Sequence, residues 1–233
     1  MSDICLQCKQ QSKRKGYQFC STKCTDAAAK NAPHLIRVPK DHVMYKDVAN
    51  SFKDTWDHNA GSCPVIDRIY LITWTPGMRS SFDNYRESVA KKLKGRKKPK
   101  EVKRFRAESR TCLLGDPGQS ASLCNDWNCH LCRAIETGFA STLQYKRCLV
   151  YNGQLAFNYA ANAGYGSQYK AVLATRVTLG EPQQLVWDEN YRLVPDTGYD
   201  SVEARPANGG PTELVVYNHN AVRAAYLLIL KSR

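Results

Sequence analysis

The 233-residue sequence predicts an α+β fold: an antiparallel-rich sheet with helices ahead of it, preceded by a small treble-clef-like zinc finger. Three observations carry this. Two cysteine pairs open the chain, helical periodicity dominates the first half, and short β-branched and aromatic runs dominate the second. Segregation of helices from strands along a chain is the α+β pattern. The expected division is a finger over residues 1–31 and one larger domain over 32–233, with a basic insertion at 91–106.

The finger rests on Cys5, Cys8, Cys20 and Cys24. A Cys-x2-Cys knuckle followed by a second pair is ligand spacing for zinc, and so short a segment buries little core without a metal. Gly16 marks a basic turn between the pairs, and Asp26–Asn31 reads as a following helix. Lys9, Lys13, Arg14 and Lys15 are either phosphate contacts or an ordinary solvated turn. Residues 32–43 read as a linker broken by Pro33 and Pro39, with His34 and His42 at the surface because neither has a partner at ligand spacing.

Met44, Val48, Phe52 and Trp56 form one stripe at helical spacing, the buried face of an amphipathic helix. Asp67–Trp74 is a strand, ended by Pro76 and Gly77. A second helix, capped by Ser80 or Ser81, carries Phe82, Tyr85, Val89 and Leu93 on one face. From Lys91 to Arg106 there are ten lysines and arginines against one acid, Glu101. Such a block is a solvated loop, a nuclear localisation signal or a phosphate-binding arm.

The stretch that follows organises the chain. It holds Cys112, Cys124, Cys129 and Cys132, a second plausible thiolate set, the alternative being small buried hydrophobes at a helix start. Leu131, Ile135 and Phe139 make that helix, with Asn125 or Asp126 as its cap. Strands are then expected over Gln144–Tyr151, Ala171–Leu179, Glu213–Tyr217 and Ala221–Leu230. An irregular connection spans Glu181–Asp196 and a Gly/Pro-rich turn region spans Gly198–Pro211. Small residues at 160–166 let the backbone approach a ligand, and His219 sits exposed in a turn.

Composition bounds the function. Apolar residues at 42% support a core, and no apolar run is long enough for a membrane span. Cysteines stand where a signal peptide would have its apolar segment, so an intracellular location, cytoplasmic or nuclear, is expected, with zinc rather than disulfides. The formal charge is +13; two four-thiolate zinc sites would leave about +9. That balance favours an anionic partner, a nucleic acid or a pyrophosphate cofactor, with the 91–106 run as one contact for nucleic acid. No GxGxxG or Walker phosphate loop is present.

From Pro33 to Leu230 the chain resembles fungal proteins with the catalytic domain of poly(ADP-ribose) polymerases. The likeness lies in CPVIDRIYLI, RTCLLGD, CHLCRAI, GYDSV and TELVVYNHNAVRAAYLLIL. It implies a split, mostly antiparallel sheet with an NAD cleft, and displacement of nicotinamide from the ribose through an oxocarbenium-like state. On this resemblance Glu213 stands at the catalytic glutamate. Tyr159 packs in the nicotinamide pocket, Ser167 bonds the carboxamide and Tyr169 stacks. The family's His-Gly-Thr is here Arg106, Ala107 and Glu108, with Ala107 offering its backbone groups and Arg106 a clamp for the pyrophosphate. The implied activity is mono-ADP-ribosyl transfer or NAD glycohydrolysis, with an acceptor that is protein or nucleic acid. The alternative is an inactive module that binds nucleic acid or ADP-ribose, since relatives lacking the histidine include inactive ones.

Overall fold

The computed structural model describes residues 2–57, 61–94, 99–139, 148–163, 166–187, 195–207, 209 and 212–232. His58, Gly164 and Tyr165, Arg96, Lys97 and Lys98 of the basic run, and positions 144–147 of the strand expected from Gln144 lie outside the described residues.

The fold is α+β. Five strands form an antiparallel sheet in the order β1 (Leu35–Val38), β2 (Ile66–Ile72), β9 (Val222–Lys231), β5 (Tyr169–Thr178), β3 (Glu101–Ala107). A second sheet runs β4 (Cys148–Val150), β8 (Glu213–Val216), β7 (Ser201–Pro206), β6 (Pro182–Trp187). Its pairs are antiparallel except β6 with β7, which is parallel. The helices are α1 (Thr22–Ala29), α2 (Val43–Lys53), α3 (Pro76–Lys92), α4 (His130–Thr137) and α5 (Gly153–Tyr159). None of the described helices is long and apolar enough to cross a membrane.

Both faces of the five-stranded sheet are buried, which explains why β9 is apolar nearly throughout. Successive side chains of a strand point to opposite faces. Leu227 and Ile229 join one core with Phe82 of α3 and Leu131 and Ile135 of α4. Leu228 and Leu230 join the other, with Val48 and Phe52 of α2. Cys5, Phe19 and Ala28 of the finger lie in this second core, so the finger is packed into the body rather than hung from it.

Several elements differ from the sequence expectation. Pro76 does not close a turn after β2. It occupies the first turn of α3, where a missing N–H costs nothing, and Thr75, not Ser80 or Ser81, accepts the capping bond from Met78 N. The end of the basic run is strand β3, because its seven residues pair along β5; Lys103 and Arg104 stay partly exposed at this sheet edge, while Arg106 is buried. Residues 182–187 and 201–206, read as irregular connection and turn, pair as β6 and β7. His42 is 1% exposed rather than at the surface. Its Nδ1 accepts from Met44 N and caps α2, and its Nε2 donates to Ile4 O of the finger. Helix α4 has Cys129 at its N-cap, while Asp126 instead accepts from Asn128 N and Thr111 Oγ1.

Candidate functional site

Two cysteine tetrads are built, as the spacing predicts. Cys5, Cys8, Cys20 and Cys24 bring four sulfurs within 4.8 Å of one another, and so do Cys112, Cys124, Cys129 and Cys132. Contacts are 3.7 Å for Cys8–Cys20, 3.5 Å for Cys20–Cys24, and 3.6 Å for Cys112 to both Cys129 and Cys132. A tetrahedron of zinc–sulfur bonds places sulfurs about 3.8 Å apart, whereas a disulfide needs about 2.05 Å. Both sets therefore fit zinc. Local structure favours the thiolate at one cysteine of each set, while the neighbouring sulfurs and burial hold Cys20, Cys112 and Cys132 above their ordinary value. Backbone N–H groups of Gln10 and Gln11 donate to Cys8, whose thiol is lowered to about 6. Hydrogen bonds from Cys112 and Cys132 hold the Cys129 thiol far below its ordinary value, helped by the Cys132 and Thr111 backbone. In each set the last ligand lies in the first turn of a helix, Cys24 in α1 and Cys132 in α4, where the helix dipole favours negative charge.

The two sheets meet at one seam. Phe105 of β3 and Tyr151, next after β4, exchange both backbone bonds, 2.9 and 2.7 Å. On its other side β4 pairs with β8, Val150 opposite Leu214. One further step of that register sets Tyr151 beside Glu213. Two strand spacings of about 4.8 Å then put Glu213 about 10 Å from Phe105. The Tyr151 ring packs on Tyr159 of α5, centroids 5.2 Å apart. Glu213 thus opens β8 on one side of Tyr151, and Tyr159, at 56% exposure, packs on its ring.

Glu213 is 4% exposed, and its Oε2 has no hydrogen-bond partner among the described residues. Removal from water disfavours the charged form, and its pKa rises to about 6. A buried carboxylate with an unused oxygen is costly, and native proteins keep such groups at sites with a task.

By this register Arg106 does not share the face of Glu213. Partners across antiparallel pairs share a face, and Phe105 and Tyr151 pack with α2 and α5. Arg106, one residue on, turns to the other face. Its Nε donates to Glu108 Oε1 at 2.5 Å, and its guanidinium lies 5.2 Å from the Phe139 ring centre. Both charges are buried, and burial raises the Glu108 carboxyl despite its cation. Ala107 returns to the Phe105 face, its backbone paired in register with Val172.

Ser167 and Tyr169 belong to a different network, centred on Arg110, which sequence reasoning passed over. This arginine is 1% exposed. It donates to Asn162 Oδ1, Leu114 O, Asp116 Oδ1, Ser167 Oγ and Tyr169 O. Ser167 Oγ donates in turn to Asp116 Oδ2 at 2.6 Å and accepts from Tyr169 N. A hydroxyl has one proton and two lone pairs, and all three are used here. A ligand amide reaching Ser167 must displace one of these bonds. The only sequence signal for the network was the RTCLLGD motif itself, which joins Arg110 to Asp116 in one turn.

No protein-family model matches the chain, and no curated protein matches it at a significant level.

Proposed function

We propose that the protein cleaves the nicotinamide–ribose bond of NAD and passes the ADP-ribosyl group to water or to a single acceptor. The observation that carries this is Glu213: a buried carboxyl with a pKa of about 6 and an oxygen that has no partner among the described residues, at the seam where Tyr151 packs tilted on Tyr159. The split pair of sheets, with Glu213 opening β8, is consistent with the architecture that the sequence resemblance implies. As the carbon–nitrogen bond breaks, its electron pair leaves with neutral nicotinamide and positive charge develops on the ribose. At neutral pH Glu213 is ionised and stabilises that charge. It then accepts the proton of the attacking water or acceptor hydroxyl. The exposed face of Tyr159 offers a platform for the nicotinamide ring. Arg106, held by Glu108 on the other face, has a structural part in this reading. The two tetrads hold structural zinc, one fixing the finger and one fixing the turn from Cys112 to α4. Single transfer is favoured over polymer synthesis, because extension needs a second acceptor site.

The test is nicotinamide release by zinc-replete protein and by Glu213→Gln, which keeps the shape of the side chain. Release that disappears in the variant supports the assignment; release that persists removes Glu213 from the chemistry.

A second reading keeps the cleft without turnover. It is favoured by the Arg106–Glu108 pair, which stands where the resembling family has its histidine. On this reading ADP-ribose raises the melting temperature while NAD is recovered intact.

A further inference from the structure

The hairpin of the finger, from Arg14 to Phe19, closes with Arg14 N donating to Phe19 O and Tyr17 N to Arg14 O. Gly16 forms its tip with φ +79°. The hairpin stands at one end of the five-stranded sheet, near Trp74, Tyr226, Arg176 and Glu101, and leaves a cavity on each side. One, of about 520 Å³, is lined by Arg14, Tyr17, Trp74, Arg79, Arg86 and Arg176 among others. The other, of about 470 Å³, includes Lys13, Asp47, Glu101 and Lys103. Gly16, Tyr17, Gln18 and Arg176 line both, so the two are parts of one groove passing around the hairpin tip.

The groove is cationic and held in shape. Its walls carry six cations, Arg14, Arg79, Arg86, Arg176, Lys13 and Lys103, against three carboxylates, Asp47, Asp83 and Glu101. The carboxylates act as struts. Glu101 takes both Arg86, at 3.3 Å, and Arg176, and Asp83 takes Arg86 at 3.0 Å. The two guanidiniums of Arg86 and Arg176 thus meet two carboxylates, and Asp47 holds Lys103 at 2.7 Å, so the surplus positive charge is that of Arg14, Lys13 and Arg79, the last 3.9 Å from Asp26; each guanidinium keeps further donors. The side chains of Arg79, Arg86 and Arg176 remain 34%, 39% and 42% exposed. At the tip, Tyr17 is 60% exposed with the Arg14 guanidinium stacked 4.2 Å from its ring centre. An exposed ring with a cation on it, set between fixed guanidiniums, is the arrangement that stacks a base and tracks a phosphate backbone.

We propose that this groove binds single-stranded nucleic acid, with phosphates on Arg79, Arg86 and Arg176 and one base on Tyr17. Two linked cavities, each of nucleotide size, fit consecutive units of a strand better than one free nucleotide. A duplex keeps its bases stacked inside and offers Tyr17 none. The proposal is independent of Glu213 and of NAD chemistry.

The test uses the full zinc-loaded chain and a fluorescently labelled 12-nucleotide oligothymidylate, read by anisotropy. With about three phosphates neutralised, affinity falls about twentyfold between 50 and 200 mM salt. Arg14→Ala with Tyr17→Ala weakens binding roughly tenfold or more, at unchanged zinc content and melting temperature. Arg79→Gln, in α3 rather than the finger, weakens it several-fold, so the result does not hang on the finger alone. Absence of binding at 50 mM salt, a flat salt response, or variants binding like the parent would overturn the proposal. So would a 12-base-pair duplex binding as tightly as the strand, or ADP displacing the strand at equal concentration.

Discussion

Glu213 is a carboxyl group that the fold destabilises. Its pKa is raised from 4.5 to about 6, so the folded chain binds more protons than the unfolded chain between those values. Stability therefore falls as pH rises through that window, and the cost is full above about pH 6. Glu213→Gln should raise stability by up to about 2 kcal/mol at pH 7–8 and change little below pH 4.5. Denaturant unfolding at the two pH values checks this, and an equal effect at both would refute the burial account. A residue whose loss stabilises the protein while abolishing turnover has been kept for function. Arg110 is the opposite case. Its five hydrogen bonds tie the RTCLLGD turn to the segment before β5, and Arg110→Ala leaves Asp116 buried without its cation. A loss of about 3–5 kcal/mol is expected in urea unfolding. The Arg106–Glu108 pair was legible in principle, because Glu108 follows β3 directly and a strand continued by one residue would set positions 106 and 108 on one face. The reach of Arg110 to residues 162–169 was not, since it depends on how distant segments pack.

Helix α5 carries Tyr159, and its position is set by its first residue. A Cβ on Gly153 would meet Phe52 Cδ2 at 2.8 Å, Phe52 O at 2.9 Å and Thr55 Oγ1 at 2.9 Å. Gly153→Ala should push α5 off α2, cost about 1–3 kcal/mol and lower nicotinamide release by moving Tyr159. A melting scan beside the assay checks both effects. At this scale the sequence was most legible where periodicity was strong: the stripe of α2, and β2, β5, β8 and β9 all lie close to where they were expected. It was least legible where a strand has few apolar residues. SVEARP forms a strand against β8, and PQQLVW against SVEARP as its parallel partner; local propensity carries little of that. Strand β3 was hidden by its cations, and α5 by a glycine start that exists to let two helices approach.

Across the whole molecule, zinc and folding are one problem. Both tetrads feed the two cores: Cys129 and Cys132 lie in one, Cys5 in the other. Chelation should therefore lower a single cooperative melting transition, by roughly 10 °C or more, rather than melt the finger alone. Elemental analysis should find two zinc ions per chain, and Cys24→Ser and Cys132→Ser should each lose one. A separate low-temperature transition for the finger would contradict its packing against α2. The tetrads were visible as spacing; that they brace both faces of one sheet was not, because the two cores are assembled from residues far apart in the chain. The seam of Phe105 and Tyr151, beside the start of β8 at Glu213, is likewise a product of two sheets joining. The most direct measurement is a chromatographic time course of NAD and nicotinamide with zinc-replete protein at pH 7.5 and pH 5, beside Glu213→Gln. The account predicts release at pH 7.5, marked loss at pH 5 as Glu213 protonates, and none in the variant. NAD recovered intact at both pH values by folded, zinc-loaded protein would contradict it.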